Sequence, residues 1–409
     1  PTAVVYRTTK GWQYGIEGKA SHGAGHKLCV DGFFETVRPL LDEVSMELPS
    51  CEAGEQRCAG GNNADVIEEC FWEALSVIRD IMENNRETTG LLAKRLTDAR
   101  NRLNSYNRKP RQDKPVIDKV FTMAAKAVTT IPEGLRLAPG TSTTLRGELG
   151  RVLQYYNKES NGAFFAASAD LLGSTSVNVI GKDFPEGYYN AVSNPGSRLM
   201  SIGGICEDAM AGILSGLSTF GYHIGVGSSY GAFIAALGHI ASRLHAIGNQ
   251  ARQAIKEEPY KTFILVCAHA GLKTGEDGPT HADPQALQIM QDNFPLGTVI
   301  TLTPWDPAEL WTLVSACLAK RPAVMVPFVT RPSETILDRE ALGLAPVKEA
   351  ATGVYQLRRS EGKPEGSLVI QGSDVAYAFI EEAMPLLKEK GVDLDVYYVA
   401  SAELFDLLP

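Results

Sequence analysis

The residues best suited to carry out chemistry lie at 275–281, which read Gly-Glu-Asp-Gly-Pro-Thr-His. Glycine relaxes the restriction on φ and proline fixes one φ, so this loop can hold Asp277 and His281 in a defined geometry. His269 stands just after the apolar run 263–266, which is typical of a buried parallel strand. Because open α/β sheets bind ligands where strands end in polar loops, these three side chains are candidate site residues.

Composition limits the classes of function. The 409 residues are 44% hydrophobic and carry a formal net charge of -9, which predicts a soluble cytoplasmic protein of two or three domains that binds no nucleic acid. No apolar run reaches the roughly 18 residues that span a bilayer, so we expect no membrane role. Seven cysteines, an odd number, argue against a disulfide framework, and the spacing of Cys51, Cys58 and Cys70 differs from a C-x-x-C metal pair.

Helical and strand-like segments alternate along most of the chain. Strands separated by helices pair in parallel through right-handed crossovers, so the sequence predicts an α/β fold with helices on both faces of a parallel sheet. The predicted elements, in order, are a helix at 145–156, a strand at 163–167, a helix at 206–220, a strand at 222–224, a helix at 232–247, the strand before His269, and a second unit with a strand at 368–370, a helix at 376–390 and a strand at 394–399.

The polar, proline-containing stretch 109–115 is the best linker candidate. A strand at 3–6 and a helix at 33–46 are interpreted as the last elements of a larger domain, and the chain ends after little more than one βαβ unit. The predicted divisions are the end of one domain, a helical connector of unassigned role, a central domain and a partial C-terminal domain, at 1–45, 46–115, 116–335 and 345–409.

Two other segments carry residues of interest. Glu207 opens an apolar helix, where a carboxylate is commonly a solvated charge stabilised by the helix dipole; buried against a heterocycle, its pKa would rise and it could share a proton with a ring nitrogen. The run 225–231 has the spacing G-x-G-x-x-x-G, unlike a dinucleotide fingerprint, and is interpreted as a tight strand-to-helix turn. Tyr230 and Phe233 have the spacing of core aromatics, but in a cleft they could sandwich a planar ring.

Together these residues resemble the transketolase family of thiamine-diphosphate enzymes. The loop 275–281 matches the family's G-E-D-G-P-T-H run in all seven positions, with His269 at the family's upstream spacing. The resemblance implies that His269, Asp277 and His281 line the substrate channel. The helix start at 204–210 is similar to the family's G-[IV]-R-E-H-x-M, which implies that Glu207 activates the cofactor, although Cys206 and Asp208 replace the family's Arg and His.

Further segments extend the resemblance. Residues 168–174 are similar to the family's S-A-D-L-x-x-S, which implies that Asp170 lies near the cofactor and Ser174 near the donor phosphate. Arg146 and Arg331 are similar in position to two arginines that bind the sugar phosphate, a group that suits the bidentate guanidinium.

The resemblance also implies two further cofactor contacts. Tyr230 and Phe233 fall where the family stacks aromatics on the aminopyrimidine ring. At 21–24 the chain resembles an H-G-A loop of the diphosphate-binding domain, which implies a cofactor or substrate contact for His22, with His26 as second choice.

The function implied by the resemblance is transfer of a two-carbon ketol unit between sugar phosphates of the pentose phosphate pathway, with thiamine diphosphate and Mg²⁺ as cofactors. The sequence has no G-D-G run, the family's site for the diphosphate and its metal, so the Mg²⁺ ligands are expected outside these residues and the chain alone is expected to be inactive. The family also implies a two-fold homodimer with the active site at the subunit interface.

Two alternatives remain open at this point. His269 with the following Ala-Gly-Leu, and the unusual Cys206, also suit another thiamine-diphosphate enzyme, such as a deoxyxylulose-phosphate synthase or a dehydrogenase E1 component. His269, Ser174 and Arg331 favour ketol transfer instead. A non-catalytic regulatory or assembly subunit that retains the fold is the third interpretation.

Overall fold

The computed structural model describes residues 5–12, 17–18, 31–48, 64–107, 109, 111–169, 171–237, 245–273, 281 and 285–409. The chain divides into two compact units, Pro1–Pro110 and Arg111–Pro409. The division falls within the polar stretch 109–115, where prolines and the lack of apolar periodicity disfavour regular structure.

The first unit contains three described helices, α1 (Asp31–Val44), α2 (Ala64–Asn84) and α3 (Arg86–Ser105). Helix α3 begins after Asn85, whose side chain accepts a hydrogen bond from the Thr88 amide and so satisfies one free donor of the first turn. A small core joins the first two helices and consists of Phe33, Leu48, Cys70 and Val77.

The second unit carries the remaining elements. Its helices are α4 (Ile117–Ala127), α5 (Leu145–Glu159), α6 (Glu207–Phe220), α7 (Gly231–Leu237), α8 (His245–Lys256), α9 (Gln285–Met290), α10 (Leu310–Lys320), α11 (Ser373–Ala378), α12 (Met384–Glu389) and α13 (Ala402–Asp406). Its strands are β1 (Ser142–Thr144), β2 (Phe164–Ser168), β3 (Ile224–Tyr230), β4 (Phe263–Ala268), β5 (Val299–Leu302), β6 (Val324–Val329), β7 (Ser333–Thr335), β8 (Val354–Arg358), β9 (Gly366–Ile370) and β10 (Leu394–Val399). Within the described ranges, no helix is long and apolar enough to cross a membrane.

The main sheet has five parallel strands in the order β2-β3-β4-β6-β5. Every residue of β2, β4, β5 and β6 is buried, as expected for a parallel sheet covered by helices on both faces. The predicted α/β class is therefore confirmed. A second sheet of order β8-β10-β9 has one parallel and one antiparallel pair, and β1 pairs antiparallel with β7.

The interpretation of 225–231 as a turn is wrong. Strand β3 continues to Tyr230, and the helix α7 starts at Gly231. A Cβ on Gly225 would lie 2.2 Å from the carbonyl oxygen of Leu214 in α6. Glycine is needed there because the helix packs directly onto the strand, and the strand does not turn at that point.

Two predicted helices differ from the observed ones. The helix expected at 232–247 corresponds to α7 and α8, with residues 238–244 outside the described part of the chain. The helix expected at 376–390 is a continuous succession of α11, a π-helical turn at Phe379–Ala383 and α12. Because a π turn keeps the chain helical with one extra residue per turn, the apolar periodicity there predicts a helix without its irregularity.

A buried ionic network connects the two main sheets of the second unit. The Arg339 guanidinium donates to Asp306 at 2.7 and 2.9 Å and to Glu309 at 2.9 Å, and it lies 4.5 Å from the centre of the Trp305 ring. The hydroxyl of Tyr355, on β8, donates to Glu309 and accepts from the Trp305 indole N–H at 2.8 Å. Burial raises the pKa of the Glu309 carboxyl. Because each of these buried groups is paired, the pairing offsets the free-energy cost of removing their charges from water.

Replacing Arg339 with methionine leaves two buried carboxylates without their cation. We expect Arg339→Met to lower the free energy of unfolding by about 3–5 kcal/mol, since removal of one partner exposes the desolvation cost of the other. Urea unfolding followed by tryptophan fluorescence measures the change, with exposed Arg359→Met as the control. A midpoint for Arg339→Met as high as that of the control would contradict the assignment.

Candidate functional site

The carboxyl ends of the parallel strands bring predicted site residues to one edge of the main sheet. Tyr230 is the last residue of β3, His269 directly follows β4, and Arg331 lies two residues after β6. The register pairs Tyr230 with Ala268 and Ala268 with Val329, and the Ala270 amide donates to the Val329 carbonyl at 3.1 Å. The sheet therefore fixes the heights of these three residues relative to one another.

His269 is at the centre of this edge. Its side chain is buried, with 1% exposure for the residue, and its ring stacks on Tyr230 with centroids 4.2 Å apart and planes 12° apart. Its Nε2 atom lies 2.9 Å from Nη1 of Arg146, on α5, and 3.0 Å from the carbonyl oxygen of Ser174. Arg146 Nη1 also donates to that carbonyl. Side chains far apart in sequence thus form one cluster.

Two groups of opposite character meet Nε2 of His269. The Arg146 guanidinium has donors only, whereas the Ser174 carbonyl oxygen only accepts. Arg146 Nη1 also donates to the Ser174 carbonyl, so Ser174 enters the cluster through its backbone.

Aromatic rings extend the cluster towards solvent. His281 makes edge contacts with Tyr230 and with Phe233, each with centroids 5.6 Å apart. Tyr230 and Phe233 are 6.1 Å apart and tilted by 40°, so they do not form a parallel clamp around a ring. One face of Tyr230 is covered by His269, whereas Phe233 is 45% exposed. Phe233 is the ring more available for stacking.

Glu207 lies at the same edge of the sheet. It is the first residue of α6, and its Oε1 accepts a hydrogen bond of 3.1 Å from the hydroxyl of Ser229, one residue before Tyr230. Glu207 is half-buried, whereas Cys206 and Asp208 on either side are exposed. Within the described part of the chain, its Oε2 makes no hydrogen bond or ion pair, so one carboxylate oxygen is available to a ligand.

A cavity of about 200 Å³ lies next to this helix start. Its walls include Ser168 at the end of β2, Met200 and the segment from Ser201 to Ile205 that leads into α6. A Cβ on Gly203 or Gly204 would meet nothing within 4 Å, so the backbone there is open to a neighbouring group. The residues fit a planar heterocycle with a proton-sharing nitrogen, because a free carboxylate oxygen and an exposed aromatic ring stand on the same sheet edge.

The structure brings together six of the predicted residues through a chain of contacts, namely Arg146, Ser174, His269, Tyr230, His281 and Phe233. Glu207 joins them through Ser229, and Arg331 is half-buried at the end of β6. The remaining predicted residues, His22, His26, Asp170 and Asp277, lie outside the described residues.

Sequence reasoning missed Ser229, the partner of Glu207. Its only sequence signal is its position one residue before Tyr230. It also missed Asp374, whose carboxylate accepts a hydrogen bond from the Leu272 amide at 2.6 Å, three residues after His269. Asp374 follows the predicted strand 368–370, so the strand-end argument that selected His269 would have selected it as well.

Among the residues that the structure describes, no three His, Cys, Asp or Glu side chains gather in a group that could hold a metal ion. Cys70, Cys206, Cys267 and Cys317 are free thiols. Cys70 packs in the core of the first unit, and Cys51 and Cys58 lie outside the described residues.

Known proteins match this chain over the same region. Residues 143–332 match the family defined as the transketolase pyrimidine-binding domain. A transketolase from Aquifex aeolicus is 28% identical over 244 residues, which are 59% of this chain and 32% of that protein. A putative transketolase C-terminal section from Methanocaldococcus jannaschii is 26% identical over 246 residues, 58% of this chain and 64% of that protein. The chain thus spans about a third of the first relative.

Solved structures share the fold. The transketolase from Campylobacter jejuni aligns with 98% of this chain and 52% of its own, with a TM-score of 0.57 and 18% identity. The transketolase from Leishmania mexicana aligns with 87% of this chain and 46% of its own, with a TM-score of 0.54 and 19% identity. Residues 143–332 therefore belong to the transketolase pyrimidine-binding domain family, and the chain as a whole is similar to transketolases.

Proposed function

We propose that this chain forms the pyrimidine-binding half of a ketol-transferring active site, which moves a two-carbon unit from a ketose phosphate to an aldose phosphate. The observation that carries the proposal is the contact between Arg146, His269 and Tyr230 at the strand ends, with Glu207 on the same edge. A phosphate-binding cation, an imidazole and a carboxylate with a free oxygen are groups that suit this chemistry.

Glu207 would share a proton with the pyrimidine ring of the cofactor. Thiamine diphosphate, when bound, supplies the nucleophilic carbon and the electron sink that carry the two-carbon unit. Glu207 offers Oε2 to the pyrimidine N1′, while the Ser229 hydroxyl holds Oε1 in place. Phe233 offers an exposed face to the ring, and Tyr230 supports the stack from the His269 side. A cofactor contact for Asp170, which lies outside the described residues, rests on the resemblance alone.

The remaining residues bind the sugar phosphate. Arg146 and Arg331 hold the phosphate and so fix the position of the reacting carbonyl. A phosphate on Arg146 competes for the hydrogens now given to His269 Nε2 and the Ser174 carbonyl. The His269 imidazole then contacts a sugar hydroxyl, with His281 and Ser174 beside it. The substrate contacts of Asp277 and His22, which lie outside the described residues, rest on the resemblance alone.

The ligands of the metal and the diphosphate-binding part of the site are assigned to residues outside this sequence. We assign Mg²⁺ to the cofactor diphosphate, with oxygen ligands from a diphosphate-binding domain outside these 409 residues, since the sequence has no G-D-G run. The active site then lies between this domain of one subunit and the diphosphate-binding domain of its partner in a homodimer. We place the enzyme in the cytoplasm and in the pentose phosphate pathway.

Replacing Glu207 by glutamine removes the proton-sharing oxygen and keeps the shape of the side chain. We expect Glu207→Gln to lower kcat about 100-fold or more, as for loss of a general acid or base. The measurement is ketol transfer with thiamine diphosphate and Mg²⁺, by the complete protein with its diphosphate-binding domain. Asp208→Asn, one residue away and exposed, is the matched control and should retain activity. Tight cofactor binding with undiminished turnover in Glu207→Gln would favour the non-catalytic subunit.

Replacing Arg146 by methionine removes the phosphate ligand. We expect KM for xylulose and ribose phosphates to rise about tenfold to hundredfold, because a hydrogen bond to a charged group contributes about 1.5–3 kcal/mol. Arg151→Met, on the same helix but paired with Glu148 at 2.6 Å, is the control and should leave KM unchanged. Steady-state kinetics with both sugar phosphates measures the effect.

The same assay separates ketol transfer from the alternative enzymes. Wild-type protein is tested in parallel with pyruvate plus glyceraldehyde phosphate. Product from the sugar phosphates supports ketol transfer, whereas product from pyruvate alone would overturn it.

A further inference from the structure

The turn after β4 holds His269 in a conformation that its own sequence does not favour. His269 has a φ of 55°, in the left-handed region that a side chain with a Cβ seldom adopts, and Gly271 has a φ of 91°. Such conformations persist where the surrounding structure over-determines them. The groups that hold residues 269–273 therefore decide where the imidazole lies.

Contacts with three elements, β6, α11 and β7, hold this turn. The Ala270 amide donates to the Val329 carbonyl of β6 at 3.1 Å. The Leu272 amide donates to Asp374 Oδ2 at 2.6 Å. The Lys273 ammonium pairs with Glu334 on β7, at 3.2 and 3.3 Å from the two carboxylate oxygens, and lies 5.3 Å from the centre of the Tyr377 ring. Asp374 and Tyr377 both belong to α11, and Asp374 is the one of the two that accepts a hydrogen bond from the backbone of the turn.

Packing alone does not hold the turn on that side. A cavity of about 260 Å³ separates parts of the turn from the C-terminal region, and its lining includes Gly271, Leu272, Thr330, Gln371 and Asp374. Across such a gap, the Leu272–Asp374 hydrogen bond is a direct link between the two sides. A Cβ added to Gly271 would lie 3.4 Å from Asp374 Oδ2, so the turn and the start of α11 are in close contact beside the cavity.

Asp374 is itself firmly placed. It is 9% exposed and lies at the start of α11, directly after Gly372 and Ser373. The Gly372 amide donates to the Tyr398 hydroxyl at 3.2 Å, and the Ser373 hydroxyl donates to the Trp305 carbonyl at 2.7 Å. Because Asp374 is held in place by its neighbours, its carboxylate can fix the position of the Leu272 amide, from which it accepts a hydrogen bond.

We infer that Asp374 is a positioning residue for His269. It accepts the Leu272 amide, which keeps the turn closed, and so it holds the imidazole against Tyr230 and Nε2 against Arg146. The catalytic part of this inference rests on the proposed function. The C-terminal region then contributes to the active site through the buried Asp374 carboxylate.

The test compares three variants of the complete protein. Asp374→Ala removes the acceptor, whereas Asp374→Asn keeps an oxygen that can accept from the Leu272 amide. Asp395→Ala is the matched control, because Asp395 accepts from the Ser360 amide at 2.9 Å in the C-terminal sheet, in a contact unrelated to the His269 turn. The readouts are kcat/KM for xylulose phosphate, the dissociation constant of thiamine diphosphate, and amide exchange of the peptide that contains 269–273.

We expect Asp374→Ala to lower kcat/KM about tenfold to hundredfold, the range that small misplacements of a reacting group produce. Cofactor affinity should change much less than kcat/KM, because only Tyr230 of the proposed cofactor contacts stacks on His269, whereas Glu207 and Phe233 lie outside the turn. The Leu272 amide should lose protection from exchange. Asp374→Asn should retain most of the activity and protection, and Asp395→Ala all of it.

Two results would overturn the inference. One is wild-type protection of 269–273 in Asp374→Ala. The other is a loss of kcat/KM that is as large in Asp374→Asn or in Asp395→Ala as in Asp374→Ala. If the wild-type protein transfers no ketol unit, the proposed function fails, and the exchange measurement still decides whether Asp374 holds the turn.

Discussion

The site depends on the register between β3 and β4. Because Tyr230 pairs with Ala268, the next residue, His269, leaves the sheet beside the Tyr230 ring and stacks on it. A slip of one residue would send alternate side chains to the opposite face and separate the two rings. The register in turn is fixed by the burial of both strands between helices, so the core of the domain and the geometry of the site have the same origin.

The C-terminal sheet is joined to the main sheet by polar contacts that have different consequences. The Arg339 network lies between the sheets. Its charged groups are all paired, and it holds the two sheets together. Asp374 accepts a hydrogen bond from the Leu272 amide, in the turn that carries His269. The same part of the chain thus stabilises the domain and shapes its site. A buried carboxylate that accepts from a backbone amide fixes direction more strictly than apolar contact does.

Periodicity and strand-end rules predicted much of this arrangement, including the α/β class, the strand at 394–399 and the position of His269. They missed β5 and β6, partly because Pro327 lies within β6, an interior strand, where proline usually argues against a strand. They misplaced 225–231, because glycines that admit a packed helix look like glycines that permit a turn. The Arg146–His269 contact spans 123 positions, and only the resemblance to a family placed both residues in one site.

The proposed function requires the strand-end cluster to bind a thiamine cofactor and a sugar phosphate together. The decisive measurement is an experimental structure of the complete protein with thiamine diphosphate and a ketose phosphate. We expect the pyrimidine N1′ within hydrogen-bonding distance of Glu207, the ring against Phe233, and the sugar phosphate on Arg146. A cofactor bound with Glu207 facing solvent, or a phosphate bound away from Arg146 and His269, would contradict it.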